Sequence, residues 1–149
     1  MWVLNRFKED ENLGAGRVGA LSAADVAGPI DPYVLAEAMG VPVIFTPDLS
    51  GDVFGATDGQ SIWIRTGLSQ VRERSTLAHE LAHILLGHSS CQDRRGELRA
   101  DRLAARLLID PGLLECERTR CGSVAELPEF LGVDTDLLVL GLGVFGMAT

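Results

Sequence analysis

The chain predicts an α+β fold. Three observations carry this. Two long stretches, from Ser69 to Leu86 and from about Glu97 to Ile109, have helical periodicity. A short block between 41 and 65 has strand character. The elements also come as a helix, then strands, then helices, rather than in strict alternation.

Taken in order, residues 1–16 mix charges with Gly14 and Gly16 and read as a loose lead-in, and Val18 to Val26 as a short helix stopped by Gly28-Pro29. The next helix has clearer punctuation. Asp31 can cap it, Pro32 suits its first position, and Gly40 can end it. "VPVIF" (41–45) reads as a strand and "TPDLSGD" as a loop. "VFGAT" (53–57) and "QSIWIR" (60–65) flank Asp58-Gly59, a strong two-residue hairpin signal. The Ser69 helix ends at Gly87, and the polar loop "HSSCQDRRG" leads to the second long helix, halted by Asp110-Pro111. Ser123 and Glu126 have capping-box spacing, "LGV" closes that short pattern, and Asp134 or Thr135 can cap a last one through Leu142. The organisation expected is a lead-in (1–16), a main domain (17–120) and a small C-terminal helical part (121–149) packed on it.

Composition narrows the class. The 149 residues are 46% hydrophobic and 23% charged, which suits one globular domain with a real core. Net charge is −8, from 21 acidic and 13 basic residues, so a nucleic-acid phosphate backbone is a poor partner. The tail superficially suggests a helix-turn-helix. Its would-be reading helix, "DTDLLVLGL", has no Arg, Lys, Asn or Gln to contact base edges. An odd count of three cysteines, Cys91, Cys116 and Cys121, with no apolar secretion signal in "MWVLNRFKEDENLGAG", points to free thiols and a cytoplasmic protein. The C-terminal "LLVLGLGVFGMAT" is too short and glycine-rich to span a bilayer.

All three histidines fall in "TLAHELAHILLGH" (76–88). His79 and His83, four apart, project from one helix face, so both imidazoles can reach one Zn²⁺ at about 2.0–2.1 Å. Glu80 lies beside that face and can reach a water on the metal rather than the metal. This is the H-E-x-x-H pattern of zinc peptidases, with Glu80 as base. The plainer reading is a pair of core histidines. Against it stands Glu80 among Leu77, Ala78, Leu81, Ala82, Ile84 and Leu85, because a glutamate seldom sits buried without a partner.

A catalytic zinc usually has a third protein ligand. His88, Cys91, Asp93 and Glu97 are the candidates. His88 does not fit the longer H-E-x-x-H-x-x-G-x-x-H spacing, since Leu86 stands at the glycine position. In "GELRADRLAARLLIDP", Arg95, Arg99, Arg102 and Arg106 line a solvated face. Glu97, Ala100, Asp101, Ala104 and Leu108 form the other side. Two inward carboxylates four apart repel unless something positive lies beside them. Zinc for Glu97 and a ligand's imidazole N–H for Asp101 meet that need. Ion pairs with the arginines at the edge are the alternative. His88 and Tyr33 are the candidates for stabilising an oxyanion. Ile62 and Ile64 alternate with Trp63, and if that strand edges the cleft it could pair with an extended substrate.

"HELAH" followed by "ELRAD" resembles the gluzincin, thermolysin-type arrangement. The fuller resemblance is to the ImmA/IrrE family of metallopeptidases, carried by "IDPYVLAEAMGVPVIF", "GQSIWIRTGLSQVRERSTLAHELAHILLGH" and "ELRADRLAARLLIDP" over roughly residues 30–111, with "SVAELPEFLGVDTDLLVLGL" similar to its small C-terminal part. The resemblance implies a zincin-like fold, with a small antiparallel three-stranded sheet packed on the H-E-x-x-H helix and the Glu-bearing helix after it. It implies a cytoplasmic zinc peptidase that relieves repression by cutting, or otherwise disabling, a helix-turn-helix repressor in a prophage, mobile element or stress response. By position, His79, His83 and Glu97 match the metal ligands, Glu80 the base, and Asp101 the residue that orients a ligand. A rival from another class is an anti-repressor or toxin–antitoxin-type partner that acts on the repressor without proteolysis.

Overall fold

The computed structural model describes residues 29–90, 92–121 and 126–147. The expected lead-in, the Val18–Val26 helix and the Ser123 cap lie outside them. Helix α1 (Pro32–Met39) begins where the sequence marks it. Asp31 accepts from the Tyr33 amide, Pro32 occupies the first turn, and Gly40 closes the helix at φ 68°. Strand β1 (Val43–Thr46) follows, then β2 (Gly55–Thr57) and β3 (Ile62–Arg65). The hairpin forms at Asp58-Gly59, but its loop runs over the four residues 58–61 rather than two, since Thr57 pairs with Ile62. Asp58 Oδ1 accepts from the Gln60 and Ser61 amides, and Gly59 takes φ 91°.

The sheet corrects one expectation. It is mixed rather than antiparallel, in the order β1-β3-β2, with β3 parallel to β1 and antiparallel to β2. The loop after β1 carries the chain past the end of β3 to the opposite edge. Arg65, the last residue of β3, ties this crossing down. Its guanidinium donates to the carbonyls of Leu49, Gly51 and Val53 at 2.6–2.8 Å. Those three bonds stand in for the ladder that residues 49–53 do not make. Strand β3 is therefore central, and it buries Ile62 and Ile64 fully while Trp63 stays half-buried.

Helix α2 (Gln70–Leu85), capped by Ser69, packs on β2, β3 and α1, and α3 (Arg94–Leu108) packs along α2. Ala78, Ala82, Ala100 and Ala104 are all fully buried, which fits the close helix approach expected of small residues. The arginines at 95, 99, 102 and 106 are exposed, as their spacing requires. Helix α3 starts three residues earlier than the sequence suggests, because Asp93 caps it by accepting from the Gly96 amide at 2.8 Å.

Asp110-Pro111 both ends α3 and opens α4 (Pro111–Cys121), a helix not anticipated from sequence. Asp110 Oδ1 accepts from the Gly112 and Leu113 amides, repeating the Asp31-Pro32 signature. Helix α5 (Leu127–Leu131) ends at Gly132, and α6 (Thr135–Val144) is capped by Asp134. Helix α6 buries Leu137, Leu138, Gly141 and Leu142 and lies against α3. A Cβ at Gly141 would fall 2.7 Å from Ile109 Cδ1, so glycine permits this approach. The tail thus contributes core rather than a groove-reading helix. Among the described residues no helix is long and apolar enough to cross a membrane.

Candidate metal centre and cleft

Helix α2 presents His79 and His83 one turn apart, and their Nε2 atoms stand 3.0 Å from each other. Glu97, in the first turn of α3, places Oε2 3.2 Å from His79 Nε2 and 3.4 Å from His83 Nε2. These three atoms form a nearly equilateral triangle and could hold a metal ion. A tetrahedral centre with bonds of about 2.0–2.1 Å separates its ligand atoms by about 3.3–3.4 Å. The triangle matches one face of that tetrahedron, and the donor set of two imidazoles and a carboxylate suits zinc chemically.

The remaining candidates fall elsewhere. Asp93 is engaged as the α3 cap. Cys91 lies outside the described residues. His88 is behind His83, with Nδ1 2.9 Å from His83 Nδ1, on the side away from the triangle. Tyr33 donates its hydroxyl to Glu73 near the start of α2 and does not line the cleft, so it is not placed to meet an oxyanion.

Asp101 Oδ1 lies 2.8 Å from His79 Nδ1. The carboxylate can only accept, so Nδ1 carries a proton, and the neutral ring presents its Nε2 lone pair to the triangle. Burial lowers the His79 pKa, but the Asp101 hydrogen bond and the charges of Glu80, Asp101 and Glu97 outweigh it, and the net shift is upward. His83 is shifted down by burial and by the neighbouring His79 charge. Two imidazoles facing each other at 3.0 Å cannot both be cations, and the opposite shifts express this.

Glu80 is 6% exposed. Desolvation raises its pKa from 4.5 to about 7, with the His79 charge working against the rise. Its carboxylate sits under β2. A Cβ at Gly55 would come within 2.6 Å of Thr76 Cγ2 and 3.0 Å of Glu80 Oε1. Gly55 thus lets the strand press on Glu80, a contact that no sequence pattern had signalled.

Glu80 and His79 open onto a cleft of about 360 Å³ between β2, α2 and the start of α6. Phe54 and Leu140 give it apolar walls, and Asp136 and Arg72 add charge. Arg72 lies 3.5 Å from Asp134 and stacks its guanidinium 5.1 Å from the centre of the Phe54 ring. The strand at the cleft is β2, an edge strand among the described residues. Strand β3 has neighbours on both sides, so strand pairing by "QSIWIR" is ruled out by the topology.

A buried carboxylate beside a triad of metal-type ligands, at the mouth of a cleft, is the arrangement that metal-dependent hydrolases of the H-E-x-x-H class use. Residues 36–141 match the Peptidase_M78 family model, the IrrE N-terminal-like domain, and the chain belongs to that family. The match spans both helices of the site and most of the tail. Family and ligand set together imply a metal and a metallopeptidase-like function. No curated protein matches the chain.

Proposed function

We propose that the protein is a cytoplasmic zinc-dependent endopeptidase whose substrate is a helix-turn-helix transcriptional repressor, cut to relieve repression in a prophage, mobile element or stress response. The observation that carries the peptidase reading is the His79–His83–Glu97 triangle with the buried Glu80 beside it.

A zinc ion held by His79, His83 and Glu97 would supply Lewis acidity, acidifying a water and polarising the scissile carbonyl. The other work belongs to the chain. Glu80 takes the proton of the attacking water on its carboxylate and delivers it to the leaving amine. Burial raises the Glu80 carboxyl pKa to about 7, which favours proton uptake, while a bound cation would pull it back toward the carboxylate that acts as base. Asp101 keeps His79 in the tautomer that offers Nε2. The edge of β2, unpaired among the described residues, offers backbone N–H and C=O groups to an extended substrate, and the cleft walls receive its side chains.

The rival reading, an anti-repressor or toxin–antitoxin-type partner that captures the repressor without cutting it, has no use for Glu80. The test is to incubate the protein with any helix-turn-helix repressor found encoded beside it, with and without chelator. Cleavage that stops with chelator and with Glu80→Gln supports the peptidase. Tight binding with no cleavage by the zinc-loaded wild type overturns it.

A further inference from the structure

His79 and His83 are held by different kinds of partner. His79 gives its second nitrogen to a carboxylate, Asp101. For His83 that place is taken by the Nδ1 of His88, at 2.9 Å with the rings 5.2 Å apart and tilted by 49°. Two imidazole nitrogens at this distance form a hydrogen bond only if one carries a proton and the other does not. His83 Nε2 points into the triangle with Glu97 Oε2 at 3.4 Å and His79 Nε2 at 3.0 Å.

We propose that His88 is a positioning residue of the metal centre, accepting the Nδ1–H of His83 on its own Nδ1 and thereby fixing the ring and tautomer in which His83 offers Nε2 to the ion. The inference rests on the metal-centre reading and extends it to a residue outside the ligand triangle. It also requires His88 to be the neutral tautomer with its proton on Nε2.

The local fold shows how His88 comes to be there. Helix α2 ends at Leu85 with Leu86 as its cap, and Gly87 enters the left-handed region at φ 77°. The turn is closed by two backbone bonds, Gly87 N–H to the Ile84 carbonyl at 3.0 Å and His88 N–H to the His83 carbonyl at 2.8 Å. That second bond brings His88 back beside the residue whose ring it meets. From outside, the β2–β3 turn closes on the same segment. A Cβ at Gly59 would lie 3.1 Å from Ser89 Cβ and 3.4 Å from the His88 carbonyl oxygen. The helix cap and the hairpin tip together hold the His88 backbone, so its ring has a defined place to stand.

Two substitutions separate hydrogen bonding from packing. His88→Asn puts an amide oxygen close to where Nδ1 stood and removes the rest of the ring. His88→Phe keeps a ring and removes the acceptor. Zinc affinity of the full chain is measured by competition with a chromophoric chelator, and a thermal melt accompanies each variant. Loss of an outer hydrogen-bond partner typically weakens metal binding by about 10–100-fold. The Phe variant is expected to show that loss and the Asn variant to recover most of it. Phe binding zinc like wild type, or Asn doing no better than Phe, overturns the role. Nitrogen-15 NMR of the zinc-loaded wild-type chain tests it without substitution: His83 should carry its proton on Nδ1, and His88 on Nε2 only. A proton on His88 Nδ1 refutes the inference while leaving the metal centre intact. A wild-type chain that binds no zinc overturns the metal centre and the inference together.

Discussion

Glu80→Gln should make the metal-free protein more stable at alkaline pH. Folding buries the Glu80 side chain and raises its pKa from 4.5 to about 7, so the native state holds this proton more tightly than the unfolded chain does. Where the native state binds more protons, stability falls as pH rises, and here the fall spans the window from 4.5 to about 7. At about 1.4 kcal/mol per tenfold change in proton affinity, the full effect is about 3 kcal/mol, a large part of a small domain's stability. Glutamine has nearly the same shape and no charge to desolvate. Urea unfolding in the presence of EDTA, followed by tryptophan fluorescence at pH 5 and pH 8, measures the difference. Wild type should lose about 2–3 kcal/mol more than the variant between those pH values, a difference that includes the coupling between Glu80 and His79. Zinc should flatten the wild-type slope, because a cation beside Glu80 favours its carboxylate. Equal pH slopes for the two metal-free proteins would refute the idea that the carboxylate is desolvated.

Glu97→Ala should abolish stoichiometric zinc binding in protein purified without a histidine tag; full zinc occupancy with His88 or Cys91 coordinating would sink the triangle. Zinc affinity and peptidase activity should fall in the order wild type, Asp101→Asn, Asp101→Ala, with the alanine about 10–100-fold down, since Asn keeps an acceptor for His79 and loses the charge. Identical affinities would make Asp101 a surface residue only. Gly55→Ala should push Thr76 and Glu80 aside, costing about 1–3 kcal/mol in overpacking and lowering kcat with zinc retained; unchanged kcat would show that the β2 contact does not place the base.

Much of this protein is local and therefore readable from one dimension. The Asp31-Pro32 start, the Asp58-Gly59 turn, the Ser69 and Asp134 caps and the stop at Gly87 are each decided by backbone chemistry within a few residues. The four-residue spacing of His79 and His83 likewise follows from helix pitch alone. Asp110-Pro111 shows how a local signal can be misjudged: a proline that ends one helix is equally suited to start the next.

What the tertiary structure decided is whatever depends on two segments meeting. His88, Cys91, Asp93 and Glu97 were all chemically eligible as the third ligand, and the helical pattern around Glu97 already favoured it. The structure brings Glu97 to the histidines because α3 crosses α2 with its first turn beside them, while Asp93 is spent on the cap and His88 is turned behind His83. Sheet order escaped sequence reasoning for the same reason, since strand parity follows from the path of the crossing loop that Arg65 ties down. Gly55 under β2 looks like any other glycine until Glu80 arrives beneath it. Periodicity and caps are written in neighbouring residues, whereas ligand choice, strand order and the desolvation of Glu80 arise from packing between residues far apart in the chain.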